Sequence, residues 1–471
     1  MIPGGNGLLK EGRKMSNILL ISSNLFKSPY HVYPLGMAVI ASALSARGHI
    51  VSQFDSIVGD NLEDRLRETL MHFAPDYVGI SVRNIDNENS LSHDNSWCLE
   101  NDKRLVSLIR QCTEAPIILG GAGFSAIPEE ILDYVGADYG VVGEGEQVIC
   151  DLIESLEHGN PAPAILRSDT PLKGEEMRSP LWEKDLIEFY TRRSGMVNLQ
   201  TKRGCPYSCS YCVYPSLEGK RFRFREPEAV IDDLEMLQAG YNVDTVFFTD
   251  SVFNDPNGNY LELAEKIILS GIKIRWAGYF RPTGTGYREL AHLKRSGLYA
   301  MEVGTDAGCD ETLSSLKKGF TFDDVVEFNS ASVKAEIPSA HFFIFGGPGE
   351  TEKTLNEGLK NIGLLKKSVI FVYSGARILP GTDLYCRAMQ EGILSEKAPL
   401  LRPVYYFSPH MDVESMNRTI EKESRDHRGF IFPPDKGDMM ISAMNALGHK
   451  GLLWDLMISF LQDEDRRKRK I

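Results

Sequence analysis

Along most of the chain, short apolar runs alternate with stretches of helical periodicity, the pattern of strand–helix units laid on a parallel sheet. Asn17–Ser23 reads as a first strand, followed by a loop and an amphipathic helix from Gly36 to Arg47 that stops at Gly48. Tyr77–Val82, Pro116–Gly121 and a short strand within Ala137–Glu146 continue the series, each running into a polar or Gly-rich loop. Parallel sheets bind ligands beyond the carboxyl ends of their strands, so these loops are the candidate binding segments. Pro161, Pro163, Pro171 and Pro180 break the periodicity over 161–195, which reads as a linker wrapping part of the fold. A second series begins at Met196, with strands predicted at 196–202, 245–250, 273–279, 300–306, 339–347 and 368–375. Six such units predict a partial barrel, short of the eight that close one. The remainder, 391–471, holds Pro399, Pro403, Pro409, Pro433 and Pro434 before a helical stretch from Asp438 and a charged tail, and predicts a small, mostly helical cap.

Composition narrows the picture. A chain of 471 residues corresponds to about three domains. Its 65 acidic against 52 basic side chains, net −13, weigh against a nucleic-acid partner. Residues 1–14 lack the apolar core of a secretory signal and read as a disordered extension, with Met15 a natural start, and no run of apolar residues is long enough to span a bilayer. A cytoplasmic setting follows as the expectation, and there clustered cysteines indicate metal or redox chemistry more often than disulfides. Cys205, Cys209 and Cys212 lie in RGCPYSCSYC, directly after a predicted strand. Three thiolates on one compact loop suit a cubane cluster, each binding one iron and leaving the fourth open. A zinc site is the competing reading, but it requires a fourth ligand that the local sequence does not offer. Cys98, Cys112, Cys150, Cys309 and Cys386 are scattered and read as ordinary thiols.

The CxxxCxxC loop, with Tyr211 before its last cysteine, resembles that of the radical S-adenosylmethionine (SAM) superfamily, over about residues 196–390. The resemblance implies a [4Fe–4S] cluster whose open iron chelates SAM, and reductive cleavage of SAM to a 5′-deoxyadenosyl radical. TVFFTDSVFN resembles the family's second strand, which implies a SAM-facing acid at Asp250. MEVGTDAGCDETL resembles the fourth, where Asp306 stands in place of the family's usual Glu, one methylene shorter. HFFIFGGPGET resembles the Gly-rich segment near adenine and points to Gly346 and Gly347. GARILPGTDL resembles the sixth-strand segment, making Arg377 a partner of the SAM carboxylate or of substrate, with a surface salt bridge as the alternative.

A strand–helix sheet placed before such a domain resembles the cobalamin-binding subclass. PLGMAVIASALSARGH, SVR, LGGAGFS and VGEGE resemble, in order, its first-helix signature and three strand-end loops. The resemblance assigns Ser81, Arg83, Gly120, Gly121, Gly123, Gly143 and Glu144 to cobalamin. Glycine suits such loops because a flat macrocycle meets the backbone only where no Cβ intervenes. The subclass's DxHxxG string is absent, and His31 in SPYHVYPLG reads as a loop histidine without metal. His341 reads as a core residue, and 451–461 as a core helix with a solvated tail rather than a membrane-docking face. The implied fold is a Rossmann-like (flavodoxin-like) domain over 15–160, a partial (β/α)6 TIM-like barrel over 196–390 and a cap over 391–471. The implied activity is transfer of a methyl group from methylcobalamin to an unactivated carbon of a small-molecule or lipid-like substrate, with an electron donor such as flavodoxin or ferredoxin. Ring closure, contraction or rearrangement with the same cofactors, or a sensor without turnover, stay open.

Overall fold

The computed structural model describes residues 15–92, 97–168, 170–395, 398–427 and 429–460. The extension expected over 1–14 and the charged tail from 461 lie outside the described residues. The first sheet contains six parallel strands: β1 (Asn17–Ser22), β2 (Ile50–Asp55), β3 (Tyr77–Ser81), β4 (Ile117–Gly120), β5 (Tyr139–Val142) and β6 (Ile165–Arg167). Their order is β2-β1-β3-β4-β5-β6, so the chain reverses direction across the sheet between β1 and β3, which opens a crevice at the strand ends. β1 is apolar and buried on both faces, as a central parallel strand must be. β2 escapes the sequence reading because it is an edge strand: its IVSQFD is mixed in polarity and its first four residues are exposed or half-buried. The segment read as a linker holds β6 and a regular helix, Lys184–Ser194, whose Ile187 and Tyr190 are buried against β1 and the second sheet.

The second sheet has seven parallel strands: β7 (Val197–Leu199), β8 (Thr245–Phe248), β9 (Arg275–Phe280), β10 (Leu298–Asp306), β11 (Ser339–Phe345), β12 (Ser368–Ser374) and β13 (Phe430–Ile431). They run in sequence order across the sheet, β7 through β13. The first six are the predicted units; β13 comes from the cap and pairs with β12 through Ile370 and Phe371. The cap is otherwise mostly helical, with helices Val413–Asp426 and Asp435–Ala446 and a final turn of helix at 454–460. Leu452, Leu453, Trp454 and Met457 are buried with Ala277, Ala300, Ala340 and Phe371. Small residues on β9 to β11 thus leave room for one indole that closes the base of the barrel. No helix among the described residues is long and apolar enough to cross a membrane.

Candidate functional site

The cysteine loop leaves β7 and is closed at its base by antiparallel pairing of Lys202–Arg203 with Arg223–Phe224. Inside it, the Cys205 N–H donates to the Gly219 carbonyl at 3.0 Å, the Cys212 N–H to the Cys209 carbonyl at 3.1 Å and the Ser210 N–H to the Leu316 carbonyl at 3.0 Å. The Ser210 carbonyl accepts from the Leu384 N–H at 2.7 Å, so two barrel loops hold the middle of the cysteine loop. Burial pushes the Cys205 thiol up and the Cys212 thiol up to about 12, each raised further by neighbouring thiols and offset by the positive charge of Lys318. Thiols so placed ionise when a cationic centre binds them. No group of three metal-ligating side chains among the described residues converges on one ion. A cubane, whose three thiolates each take a different iron, fits this donor set better than the single zinc ion.

Tyr211 and Asp306 meet directly. Asp306 ends β10 with φ of 66°, beside an irregularity in the β10–β11 pairing, and accepts hydrogen bonds from the Tyr211 hydroxyl and the Lys318 ammonium. Burial and the Asp306 charge hold the Tyr211 phenol well above its ordinary value. Burial pulls Lys318 down, but Asp306 more than offsets this and keeps it charged. Arg281 stacks over Tyr207 of the loop at 3.9 Å and over Phe320 at 4.8 Å. A hypothetical Cβ on Gly347 would stand 3.7 Å from Leu316, whose carbonyl holds Ser210. Gly346 has φ of +83°, and its N–H donates to Glu350 while its carbonyl accepts from Ser408. Glu350, which the sequence reading missed, is buried, and burial pushes it up to about 7.

Asp250 and Arg377 sit differently from the surroundings the resemblance implied. Asp250 is wholly buried, and its oxygens accept from the Thr201 N–H at 2.7 Å, the Thr201 hydroxyl, the Lys202 N–H at 3.2 Å and the Lys202 ammonium at 3.2 Å. It anchors the strand that launches the cysteine loop and has no open surface toward a ligand. Arg377 is buried and donates to Asp86 at 3.0 Å, the Ile378 carbonyl at 2.8 Å and the Leu400 carbonyl at 3.0 Å. It ties the loop after β3 to the barrel and the cap.

Between the carboxyl ends of the first sheet and the mouth of the barrel lies a cavity of about 360 Å³. Ser81, Arg83, Gly120, Gly121, Gly143 and Glu144 line it from one side; Asn198, Gln200, Thr249 and Tyr279 line it from the barrel. Tyr214 and Leu217, on the turn of helix that follows Cys212, also line it, so the cavity reaches the cysteine loop. At Gly121, φ is +100° and a Cβ would stand 2.6 Å from the Val82 carbonyl oxygen. Gly123 does not line the cavity; a Cβ there would press on the Arg83 and Val82 carbonyls at 3.0 and 3.1 Å, and its role is to let the short helix after β4 sit against the loop after β3.

Glu144 has a further role that no local pattern announces. It accepts from Arg203 at 3.2 Å, from Arg223 through both terminal nitrogens at 2.9 Å, and from the Leu172 N–H at 2.7 Å; Arg203 also meets Glu146 at 2.7 Å. Arg203 is strongly buried, which pulls its basicity down, but Glu146 and Glu144 raise it more. The VGEGE loop thereby grips the hairpin that closes the cysteine loop. His31 packs edge-on against Phe189 at 5.8 Å, and burial lowers it to about 4. His341 is fully buried with Nδ1 2.8 Å from the Thr305 hydroxyl, and burial lowers it to about 3.

The geometry defines a class: an α/β protein with a three-cysteine loop at the mouth of a partial barrel, facing a cleft at the strand ends of a preceding parallel sheet. Comparison with known proteins agrees. The B12 binding domain family matches residues 21–153 and the Radical SAM superfamily matches residues 199–362. Together they account for well over half of the chain, which belongs to the radical SAM superfamily and carries an N-terminal B12-binding domain. Tryptophan 2-C-methyltransferase of Streptomyces laurentii is 26% identical over 78% of this chain and 73% of its own length. Cytidylyl-2-hydroxyethylphosphonate methyltransferase of Streptomyces wedmorensis is 24% identical over 84% of this chain and 86% of its own. The solved structure of the radical S-adenosylmethionine methyltransferase TsrM from Kitasatospora setae, with cobalamin and a [4Fe-4S] cluster bound, superimposes with a TM-score of 0.83 at 23% identity, covering 97% of this chain and 100% of that one.

Proposed function

We propose that the protein is a cobalamin-dependent radical SAM methyltransferase acting on carbon of a small-molecule substrate. The observation that supports it best is the single cavity that runs from the strand-end loops of the first sheet to Tyr214 and Leu217 beside Cys212. When bound, the three cofactors supply a transferable methyl group and a one-electron route to a carbon radical. Cys205, Cys209 and Cys212 hold the cluster. Tyr211, Asp306 and the Gly346–Gly347 segment form the SAM side, where the Lys318–Asp306 pair supplies fixed charge and hydrogen bonds. Ser81, Arg83, Gly120, Gly121 and Gly143 receive cobalamin, Ser81 offering a hydroxyl and the glycines close backbone approach. Gly123, Glu144, Asp250 and Arg377 act as positioning residues, through packing and through the ion pairs described above. Tyr30, inserted from the loop after β1 into the barrel, and the aromatic walls beside it exclude water from the reacting groups. The units are a corrin domain over 15–160, a barrel over 196–390 and a cap over 391–471, in a cytoplasmic protein served by a flavodoxin or ferredoxin.

The test is anaerobic reconstitution followed by turnover. The wild-type protein should take up a cluster and cobalamin together, and Cys209→Ala should lose the cluster absorption while keeping cobalamin. Fed SAM carrying a deuterated methyl group and extract from a strain lacking the gene, the loaded enzyme should produce a deuteromethylated metabolite. Deoxyadenosine formed without label transfer would instead favour a rearrangement.

A further inference from the structure

On the barrel side the cavity reaches Tyr279 of β9. Tyr279 and Tyr214 line it and keep 39% and 44% of their surface open. Glu88 is exposed. Tyr279 stands in register with Glu302 on β10, and the ring of Phe247 links Tyr279 at 4.9 Å to Tyr30 at 6.0 Å. Glu302 is only 5% exposed, and no donor among the described residues reaches its carboxyl. Burial alone pushes it up to about 8. Its charge is felt by Tyr30, Tyr279 and Tyr373, whose phenols are all held above their ordinary values, first by burial.

A second acid approaches from the other side. Glu88 lies on the loop after β3, at φ of 53°, with its N–H donating to Asp86 at 2.8 Å. Asp86 is fixed by Arg377, and Ser90 two residues on donates to the Ser374 carbonyl at 2.5 Å, which pins the loop over the end of β12. Glu88 acts on Tyr214, Tyr373 and Tyr405, and Asp435 and Asp438 of the cap add to the field at Tyr373. Arg83 is the cation whose charge reaches Tyr30, Tyr214 and Tyr279. A carboxyl group without a partner, buried next to a tyrosine of the cavity wall, is costly to ionise. A ligand cation favours the ionised carboxylate and gains from the ring faces, whereas an anion gains from neither.

We infer that the substrate carries a basic amine, protonated at neutral pH, whose ammonium is received at Glu302 among Tyr30, Tyr279 and Tyr373, with Glu88 reinforcing the preference for positive charge. This rests on the functional reading that the cavity is where the methyl acceptor binds. It narrows the substrate to organic cations with an apolar body and disfavours carboxylates, phosphates and neutral lipids.

The test is calorimetric titration of the cobalamin- and cluster-loaded full chain with three probes that share a phenyl ring: 2-phenylethylamine, 2-phenylethanol and phenylacetate. The amine should bind about ten-fold tighter than the alcohol, with phenylacetate weakest. Glu302→Gln should erase most of that margin and Glu88→Gln part of it, while affinity for the alcohol changes by less than about two-fold and cofactor absorption is unchanged. If Glu302→Gln does not fold, Glu302→Asp, with its carboxylate withdrawn by one methylene, must weaken the amine relative to the alcohol. Equal or tighter binding of the alcohol or the acid, absence of measurable amine binding, or a margin that survives both variants overturns the inference. Failure of the wild-type protein to hold cobalamin and cluster would overturn the functional reading instead, and the absorption spectra separate the two.

Discussion

At the residue scale, the site depends on backbone placed where side chains are barely tolerated. Asp306 occupies the left-handed region, which aspartate enters more readily than most residues, and Tyr211 and Lys318 hold its carboxylate there. Gly121 is more extreme, since an added Cβ would stand 2.6 Å from the Val82 carbonyl in the wall of the cavity. Gly121→Ala should therefore lower stability by about 1–3 kcal/mol in a denaturant titration and abolish retention of cobalamin through gel filtration. Gly159→Ala is the matched control: φ is +70° but nothing lies within 4 Å, so only backbone strain applies and cobalamin should be kept. Equal behaviour of the two variants would mean that the contact with Val82 is unimportant. The three cysteines could be grouped from the sequence because all three sit on one loop, and the cluster reading follows from their spacing. Glu302 had a visible signal too, an acid inside the apolar run LYAMEV, although its meaning needs the strand neighbours. Arg377 stood in a recognisable segment, but its buried partner Asp86, 291 residues away, could not be read.

At the element scale, the two halves of the fold are coupled through a hairpin. Lys202–Arg203 and Arg223–Phe224 pair so that Arg203 faces Arg223, a repulsive cross-strand arrangement that Glu144 neutralises from the other domain. Removing the Glu144 charge leaves Arg203 with Glu146 as its ion-pair partner and the half-buried Arg223 with carbonyl acceptors, at a cost of about 1–3 kcal/mol. Glu144→Gln should then reduce retention of cobalamin and of the cluster together, read as the two absorption signals after gel filtration, whereas Cys209→Ala lowers only the second. Independent losses would show that the hairpin does not join the sites. Strand–helix alternation was readable because central parallel strands are continuously apolar. The half-exposed edge strand β2, the three-residue β6 and the added β13 were not, because edge and very short strands lack that signature.

At the scale of the whole molecule, burial has left several carboxyl groups reluctant to ionise: Glu302 at about 8, Glu350 and Asp102 at about 7, and Asp438 at about 6. For each, the native value lies above the unfolded one near 4, so the native state binds more protons in between. Their contribution to stability is complete below the unfolded value and is lost as pH rises through the native values, over a window from about 4 to 8. His341 at about 3 and His31 at about 4 work in the opposite sense, losing stability as pH falls below their ordinary 6.5, but the carboxyls outnumber them. The unliganded protein should therefore be more stable near pH 5.5 than near pH 8, by an amount of the order of 3 kcal/mol from Glu302 alone. Glu302→Gln, which cannot ionise, should narrow the gap between guanidinium midpoints at the two pH values by raising the one at pH 8. An amine ligand should do the same in the wild-type protein, since it favours the ionised carboxylate in the folded state, and should leave the variant unmoved. A gap of equal size in wild type and variant would place the titrating groups elsewhere and remove Glu302 as the unpaired carboxyl beside the cavity.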